Sequence, residues 1–249
     1  MKKLDTFIFV HDQNIILDFN KINKFSELEG FKYVFLGNKP CDLIQDLDNV
    51  IIARNLEHNI EQYPKFTSLT GWYALCKNNL INSEYVNFFE YDINYVEKFA
   101  DINKNFVNSD VDFIGYFPML LTDPVYLIHS QYTDQLVKAI KLKTGVDINN
   151  LVNKIILKDN SATWSSSSNS TWRVSALKDY IDWFEMFIDD VKDSNYCGHM
   201  HERSLSFYYF IMGLNVKITQ GLMSHFQLNS HGTSPLPPER GEQLYKMLK

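Results

Sequence analysis

Residues 85 to 92 read Tyr-Val-Asn-Phe-Phe-Glu-Tyr-Asp, an apolar run that stops on two acids. Tyr85, Val86, Phe88 and Phe89 are the β-branched and aromatic residues of a strand buried on both faces, as inside a parallel sheet. Along an extended chain, residues two apart share a side, so Glu90 and Asp92 project together. They do so at the C-terminal end of the strand, where open α/β sheets take their ligands. Two convergent carboxylates there suit a hard divalent cation, which in turn suits a phosphate-bearing ligand. The acid-x-acid pattern alone is weak, because 30 acids in 249 residues give roughly three or four such pairs by chance. Glu27/Glu29 and Asp46/Asp48 lie in polar, helical or turn-like context, and Asp110/Asp112 precede a strand. Only Glu90 and Asp92 follow a buried one. The alternative is a strand that ends in water on two solvated acids.

A second cluster, Cys197-Gly198-His199-Met200-His201-Glu202-Arg203, opens a helix predicted over 203–212 and stopped by Gly213. Glu202 there is either an acidic first turn favoured by the helix dipole or a general base flanked by histidines and Arg203. His199 and His201 could also bind a metal, although His-x-His without further ligands at fixed spacing is a weak signal. His225 and His231 come late in the chain, where either could add a nitrogen ligand to an ion held by the acids. A solvated loop histidine is the alternative for each. Trp164, Trp172 and the serines between them could form an acceptor platform, with apolar rings under a sugar and hydroxyls beside it. Core packing is the alternative for both rings.

The elements that must position these groups alternate between strand-like and helix-like patterns. Strands are predicted over 6–10, 33–36, 50–53 and 85–92, with helical stretches around 21–28, 42–47 and from Pro64 to Cys76. Such alternation implies a mostly parallel sheet with right-handed crossovers. Further on, 111–121 reads as one strand, Thr133 caps a helix that ends near Gly145, and 215–219 and 222–226 read as closing strands. Ser175 is expected to cap an amphipathic helix whose stripe, Leu177, Tyr180, Ile181, Phe184, Phe187, Ile188 and Val191, reads as core. Ser165–Ser168 with Asn169 read as a mobile low-complexity loop. Pro235, Pro237 and Pro238 set off a short C-terminal helix carrying Leu244, Met247 and Leu248. The expected organisation is one domain, with about 1–125 and about 126–231 as its two halves and 232–249 as a tail helix.

Composition sets outer bounds. A chain of 249 residues that is 45% hydrophobic can bury a large core. Its net charge is −6 with no basic stripe, which argues against a nucleic-acid partner. Cys41, Cys76 and Cys197 are odd in number and lack zinc or redox spacing, as expected of a reducing, cytoplasmic setting. No run is long enough to span a membrane, nor does the N-terminus read as a signal peptide; peripheral membrane association stays open.

Taken in order, these pieces resemble the GT-A class of nucleotide-sugar glycosyltransferases, and within it the small enzymes of bacterial and large-virus surface-polysaccharide clusters. Three stretches carry the resemblance. The run from Leu69 to Asn78 (Leu-Thr-Gly-Trp-Tyr-Ala-Leu-Cys-Lys-Asn) is similar to the family's helix with an aromatic-Ala-x-x-Lys-Asn core. Phe89-Glu90-Tyr91-Asp92 resembles its metal-binding D-x-D motif, with Glu in the first acidic place. His201-Glu202-Arg203-Ser204-Leu205 resembles its later Glu-Arg-Leu segment. The resemblance implies a mixed, mostly parallel Rossmann-type α/β sheet flanked by helices. It implies Mn²⁺ or Mg²⁺ held by Asp92 and Glu90, with His225 a candidate third ligand. Val10, His11 and Asp12 would contact the nucleotide, with Asn38, Lys77 and Tyr91 as further candidates. Glu202 would act on a glycan or lipid-linked acceptor held with Trp164, Trp172 and Arg203. Two other classes stay in view: a metal-dependent hydrolase built on His199, His201 and Glu202, and a non-catalytic sugar- or nucleotide-binding module.

Overall fold

In a computed structural model, described over residues 4–121 and 132–225, seven strands form the central sheet. They are β1 (Leu4–Val10), β2 (Lys32–Phe35), β3 (Val50–Ile52), β4 (Tyr85–Glu90), β6 (Phe113–Gly115), β9 (Ser170–Arg173) and β10 (Val216–Ile218), in the order β10-β6-β9-β4-β1-β2-β3. β9 runs antiparallel between β4 and β6, and every other neighbouring pair is parallel. The sheet is thus mixed and mostly parallel, as expected. Two small antiparallel pairs stand outside it: β5 (Ile93–Tyr95) with β11 (Met223–His225), and β7 (Pro118–Leu120) with β8 (Thr163–Ser165). The helices are α1 (Gln13–Ile22), α2 (Ser68–Lys77), α3 (Phe99–Asn108), α4 (Asp134–Thr144), α5 (Ile148–Lys158), α6 (Val174–Glu185), α7 (Ile188–Val191) and α8 (Cys197–Met212).

Period-two alternation divides the core into two layers. Phe7, Phe9, Val86 and Phe88 pack with Trp72, Leu177, Tyr180 and Leu205 of α2, α6 and α8. Ile8, Val10, Tyr85 and Phe89 pack with Ile16, Phe19, Phe99 and Val107 of α1 and α3. Strands apolar at every position are therefore covered on both sides. On the first side α2 presses its backbone onto the sheet, and a Cβ on Gly71 would lie 2.6 Å from the Phe9 ring. Only glycine fits there.

Several elements depart from the sequence expectations. α1 begins at Gln13 instead of near Lys21, because Asp12 caps it by accepting from the Asn14 N–H at 3.0 Å, and left-handed Asn23 ends it. Residues 42–47 form successive turns and no helix. Pro64 opens only a short 3₁₀ turn, Pro64–Phe66, before α2. The expected strand over 111–121 splits before Pro118, where one half pairs with β9 and β10 and the other leaves to pair with β8. Arg173 takes the N-cap position of α6 in place of Ser175, and the helix stops at Glu185, although its whole expected stripe is buried. α8 starts six residues before Arg203, so Glu202 sits in its second turn. No helix among the described residues is long and apolar enough to cross a membrane. Phe226, His231 and the expected C-terminal helix lie outside the described residues.

Candidate active site

A cleft of about 240 Å³ opens at the C-terminal edge of the parallel strands. Val10 and His11 line it from the end of β1, Gly37, Asn38 and Lys39 from the end of β2, and Glu90 from the tip of β4. Its far wall is Pro64, Thr67, Ser68 and Thr70 at the start of α2. The loop after β2 is held from two sides. Glu61 accepts from the Gly37 N–H, and Arg54 donates to the Gly37 and Lys39 carbonyls at 2.8 and 2.9 Å. Thr67 adopts φ 53° and ψ −126°, a conformation costing about 1–3 kcal/mol in a β-branched residue. The first turn of α8 lies against it, so a Cβ on Gly198 would be 3.2 Å from the threonine Cγ2.

Glu90 emerges on the same face of β4 as Phe88, toward α2 and α8. Ser168 Oγ donates to its carboxylate at 3.0 Å, and Asn169 Oδ1 accepts from its backbone N–H at 2.7 Å. Burial, then the charge of Asp92, pushes the Glu90 carboxyl up to about 7, with the neighbouring Ser68 and Ser168 hydroxyls acting the other way. The strand ends there, and Asp92 occupies the turn that follows instead of the strand itself. Pairing of β11 with β5 sets His225 opposite Ile93 and puts its Nδ1 3.5 Å from Asp92 Oδ1. The His225 ring stacks on Phe117 with centroids 4.5 Å apart. Burial disfavours its charged form, but the hydrogen bond and charge of Asp92, joined by Glu90 and Glu202, outweigh it and raise the pKa. Glu202 thus acts electrostatically on both Glu90 and His225. It also faces His199 Nδ1 and Arg203 Nη1, each 3.6 Å away. Groups from three distant parts of the sequence, Glu90 with Asp92, Glu202, and His225, therefore act on one another at one end of the sheet. Among the described residues, no three His, Cys, Asp or Glu side chains close on one point as a ready-made metal cage.

Other sequence candidates fall elsewhere. Trp164 and Trp172 are fully buried, Trp172 stacked on Tyr180 and edge-on to Trp72; with no open face, neither can carry an acceptor. The intervening segment is not a loose loop. Ser165, Ser167, Ser168 and Asn169 are all buried, and they bond to one another and to Glu90. Lys77 ends α2, nine residues and about 14 Å of helix from the cleft wall at Ser68. It pairs there with Asp182 at 2.8 Å and Glu185 at 2.6 Å, clamping α2 to α6. Tyr91 is buried and meets the His11 ring edge-on at 5.2 Å, so it backs the cleft wall without lining it. Asp12 serves as the α1 cap and lies 3.5 Å from Lys39. Arg203 is nearly buried, its guanidinium over the rings of Tyr132 and Trp164. His201 is sealed in the core beside Trp72, while His199 on the same helix is half-exposed. Positions two apart on a helix point in different directions, so these histidines cannot share an ion. That removes the hydrolase built on them.

Sequence inspection missed Arg54 and Glu61, which hold the loop after β2, and the support that Ser168 and Asn169 give to Glu90. It also missed Lys24, whose half-buried ammonium donates to Asn94 Oδ1 at 3.4 Å. Burial lowers the pKa of Lys24 to about 8 against the opposing charge of Asp92.

No family model matches the chain, and no curated protein does. Solved structures do. The structure of WbbM, a bifunctional glycosyltransferase without ligand, matches 94% of this chain and 48% of its own, at 12% identity and a TM-score of 0.58. The chain thus spans about half the length of that protein. An active-site variant of LgtC matches 98% of this chain and 95% of its own at 9% identity, with a TM-score of 0.47. Glucosyl-3-phosphoglycerate synthase from Mycobacterium tuberculosis matches 99% and 77% at 7% identity, with a TM-score of 0.43. The last two are too distant to add weight. The WbbM likeness, with the seven-stranded sheet and its order, gives this chain the GT-A-type glycosyltransferase fold.

Proposed function

We propose that the chain is a divalent-cation-dependent glycosyltransferase, moving a sugar from a nucleoside-diphosphate donor to a hydroxyl of a glycan or lipid-linked acceptor. The observation that carries this reading is the meeting of Glu90, Asp92, His225 and Glu202 beside a cleft at the C-terminal strand edge. Val10, His11 and Asn38 line the cleft where a nucleotide would lie, with Lys39 at its mouth.

The donor set fits Mn²⁺ or Mg²⁺. Such ions favour one or two carboxylates plus substrate phosphates and water over an all-protein cage, which suits an open group of Asp92, Glu90 and His225. Burial and then the like charge of Asp92 raise the Glu90 carboxyl, and a bound cation would offset both. When bound, the ion would neutralise charge on the departing diphosphate. Lys24, whose ammonium feels the charge of Asp92, adds positive charge at neutral pH. Glu202 accepts the proton of the acceptor hydroxyl, which is a poor nucleophile until that proton is shared. Arg203 and His199 hold the carboxylate of Glu202 in place. Surface polysaccharide or glycan assembly is the setting such a transfer would serve.

The test is donor consumption. Incubated with a panel of nucleotide sugars, the protein should release nucleoside diphosphate only with Mn²⁺ or Mg²⁺ present, and Asp92→Ala should cut the rate by roughly 10–100-fold or more. Release at full rate in a chelator, unaffected by Asp92→Ala, contradicts the proposal.

A further inference from the structure

The burial of Trp164 and Trp172 leaves the acceptor side without its expected rings, but three other rings gather next to Glu202. Tyr132 stands edge-on to Tyr196, with centroids 4.8 Å apart and planes at 87°. It also lies 5.1 Å from the His199 ring at 61°. Both tyrosines are half-buried and His199 is more than half exposed, so the cluster has an open side. It borders the catalytic candidate directly, through the 3.6 Å contact between His199 Nδ1 and Glu202 Oε2. Arg203 ties it together, with its guanidinium 5.7 Å from the Tyr132 centroid and a 3.1 Å hydrogen bond to the His199 carbonyl. Through Gly198 against Thr67, the same turn of α8 reaches the wall of the donor cleft.

We propose that Tyr132, Tyr196 and His199 form the acceptor subsite, and that the acceptor group they take is a carbohydrate ring. A pyranose presents a face of C–H bonds and a rim of hydroxyls. The C–H face suits half-exposed aromatic rings, whose π-clouds are electron-rich, while their polar edges suit the hydroxyls. An alkyl chain would need a groove lined by apolar groups alone, and here the rings border the charged groups of Glu202 and Arg203. Stacking on Tyr196 and His199 sets one hydroxyl toward Glu202, which deepens the transferase reading and rests on it.

Saturation-transfer NMR on the full chain tests the subsite, with methyl hexopyranosides, lactose and cellobiose as probes. Saturation should pass to the ring C–H protons of at least one sugar. The signal should fall at least fivefold in Tyr196→Ala and in His199→Ala, the latter at an exposed position that leaves the fold intact. Tyr196→Phe, which keeps the stacking face, should retain it, as should Glu202→Gln. No transfer to any of these sugars, or equal transfer in the folded Tyr196→Ala and His199→Ala variants, overturns the subsite. Binding of UDP or GDP with Mn²⁺, followed by thermal shift, separates the two levels. Nucleotide binding without sugar saturation removes the acceptor assignment alone. Sugar saturation without nucleotide binding keeps the subsite and removes the transferase.

Discussion

Glu202→Gln should lose about three orders of magnitude in sugar transfer while nucleoside-diphosphate affinity stays within about twofold of wild type. Removing a positioned general base typically costs 10²- to 10⁴-fold in rate. Glutamine keeps the size and hydrogen-bonding shape of the side chain but cannot accept the acceptor proton. The site favours this role for Glu202 over Glu90. Glu202 is partly exposed on the α8 side, with His199 and Arg203 beside it. Glu90, by contrast, is fixed by Ser168 and Asn169 at the strand tip. Kinetics with saturating donor and varied acceptor check it, alongside a nucleotide titration. Near-wild-type turnover takes Glu202 out of the mechanism. A parallel collapse of nucleotide binding would make it a donor contact instead.

The second large effect is on stability in acid. His201 lies in the core, edge-on to Trp72 at 4.8 Å and near Tyr180 and Phe184. Neither ring nitrogen has a hydrogen-bond partner among the described residues. Burial alone drives its pKa down to about 3 from 6.5. The folded protein therefore binds this proton less well than the unfolded chain does. The stability this protects is complete above pH 6.5 and drains away as pH falls toward 3. At pH 5 the unfolded histidine is about 1.5 pH units into its titration, so the loss is about 2 kcal/mol. His201→Phe should flatten the stability–pH curve between pH 7 and 5 by that amount, measured by urea unfolding. Parallel curves for the two proteins would show that His201 is not buried neutral.

How much of this was legible beforehand follows from how local each signal is. β1 and β4 could be placed because a strand covered on both faces is apolar at every position, and nothing else so short reads that way. Glu90 and Asp92 stood out because they end such a strand. α1 was misplaced because Asn14, Asp18 and Asn20 dilute its stripe, leaving Ile16 and Phe19 as its buried contacts. The start of α8 was missed because Cys197, Met200, His201 and Ser204 look polar or mixed, although all four are buried. Buried polar residues, whether bonded like Ser204 or without a ring-nitrogen partner among the described residues like His201, carry no apolar periodicity. The same blindness made Ser165–Asn169 look like a loose linker, when its hydroxyls and amide hold the tip of β4. Lys77 misled in the opposite way: it fits a motif, but its partners Asp182 and Glu185 are more than a hundred residues distant in sequence. Tyr132, two residues before α4, and Tyr196, one residue before α8, meet across 64 positions of sequence, and no spacing announces that.

The most direct measurement is diffraction at the manganese edge from crystals soaked with Mn²⁺ and UDP or GDP. An anomalous peak within coordination distance of Asp92, flanked by Glu90 or His225 and touching the diphosphate, is the expected result. A nucleotide seated in the cleft with no manganese near residues 90, 92 and 225, or a manganese bound elsewhere, would contradict it.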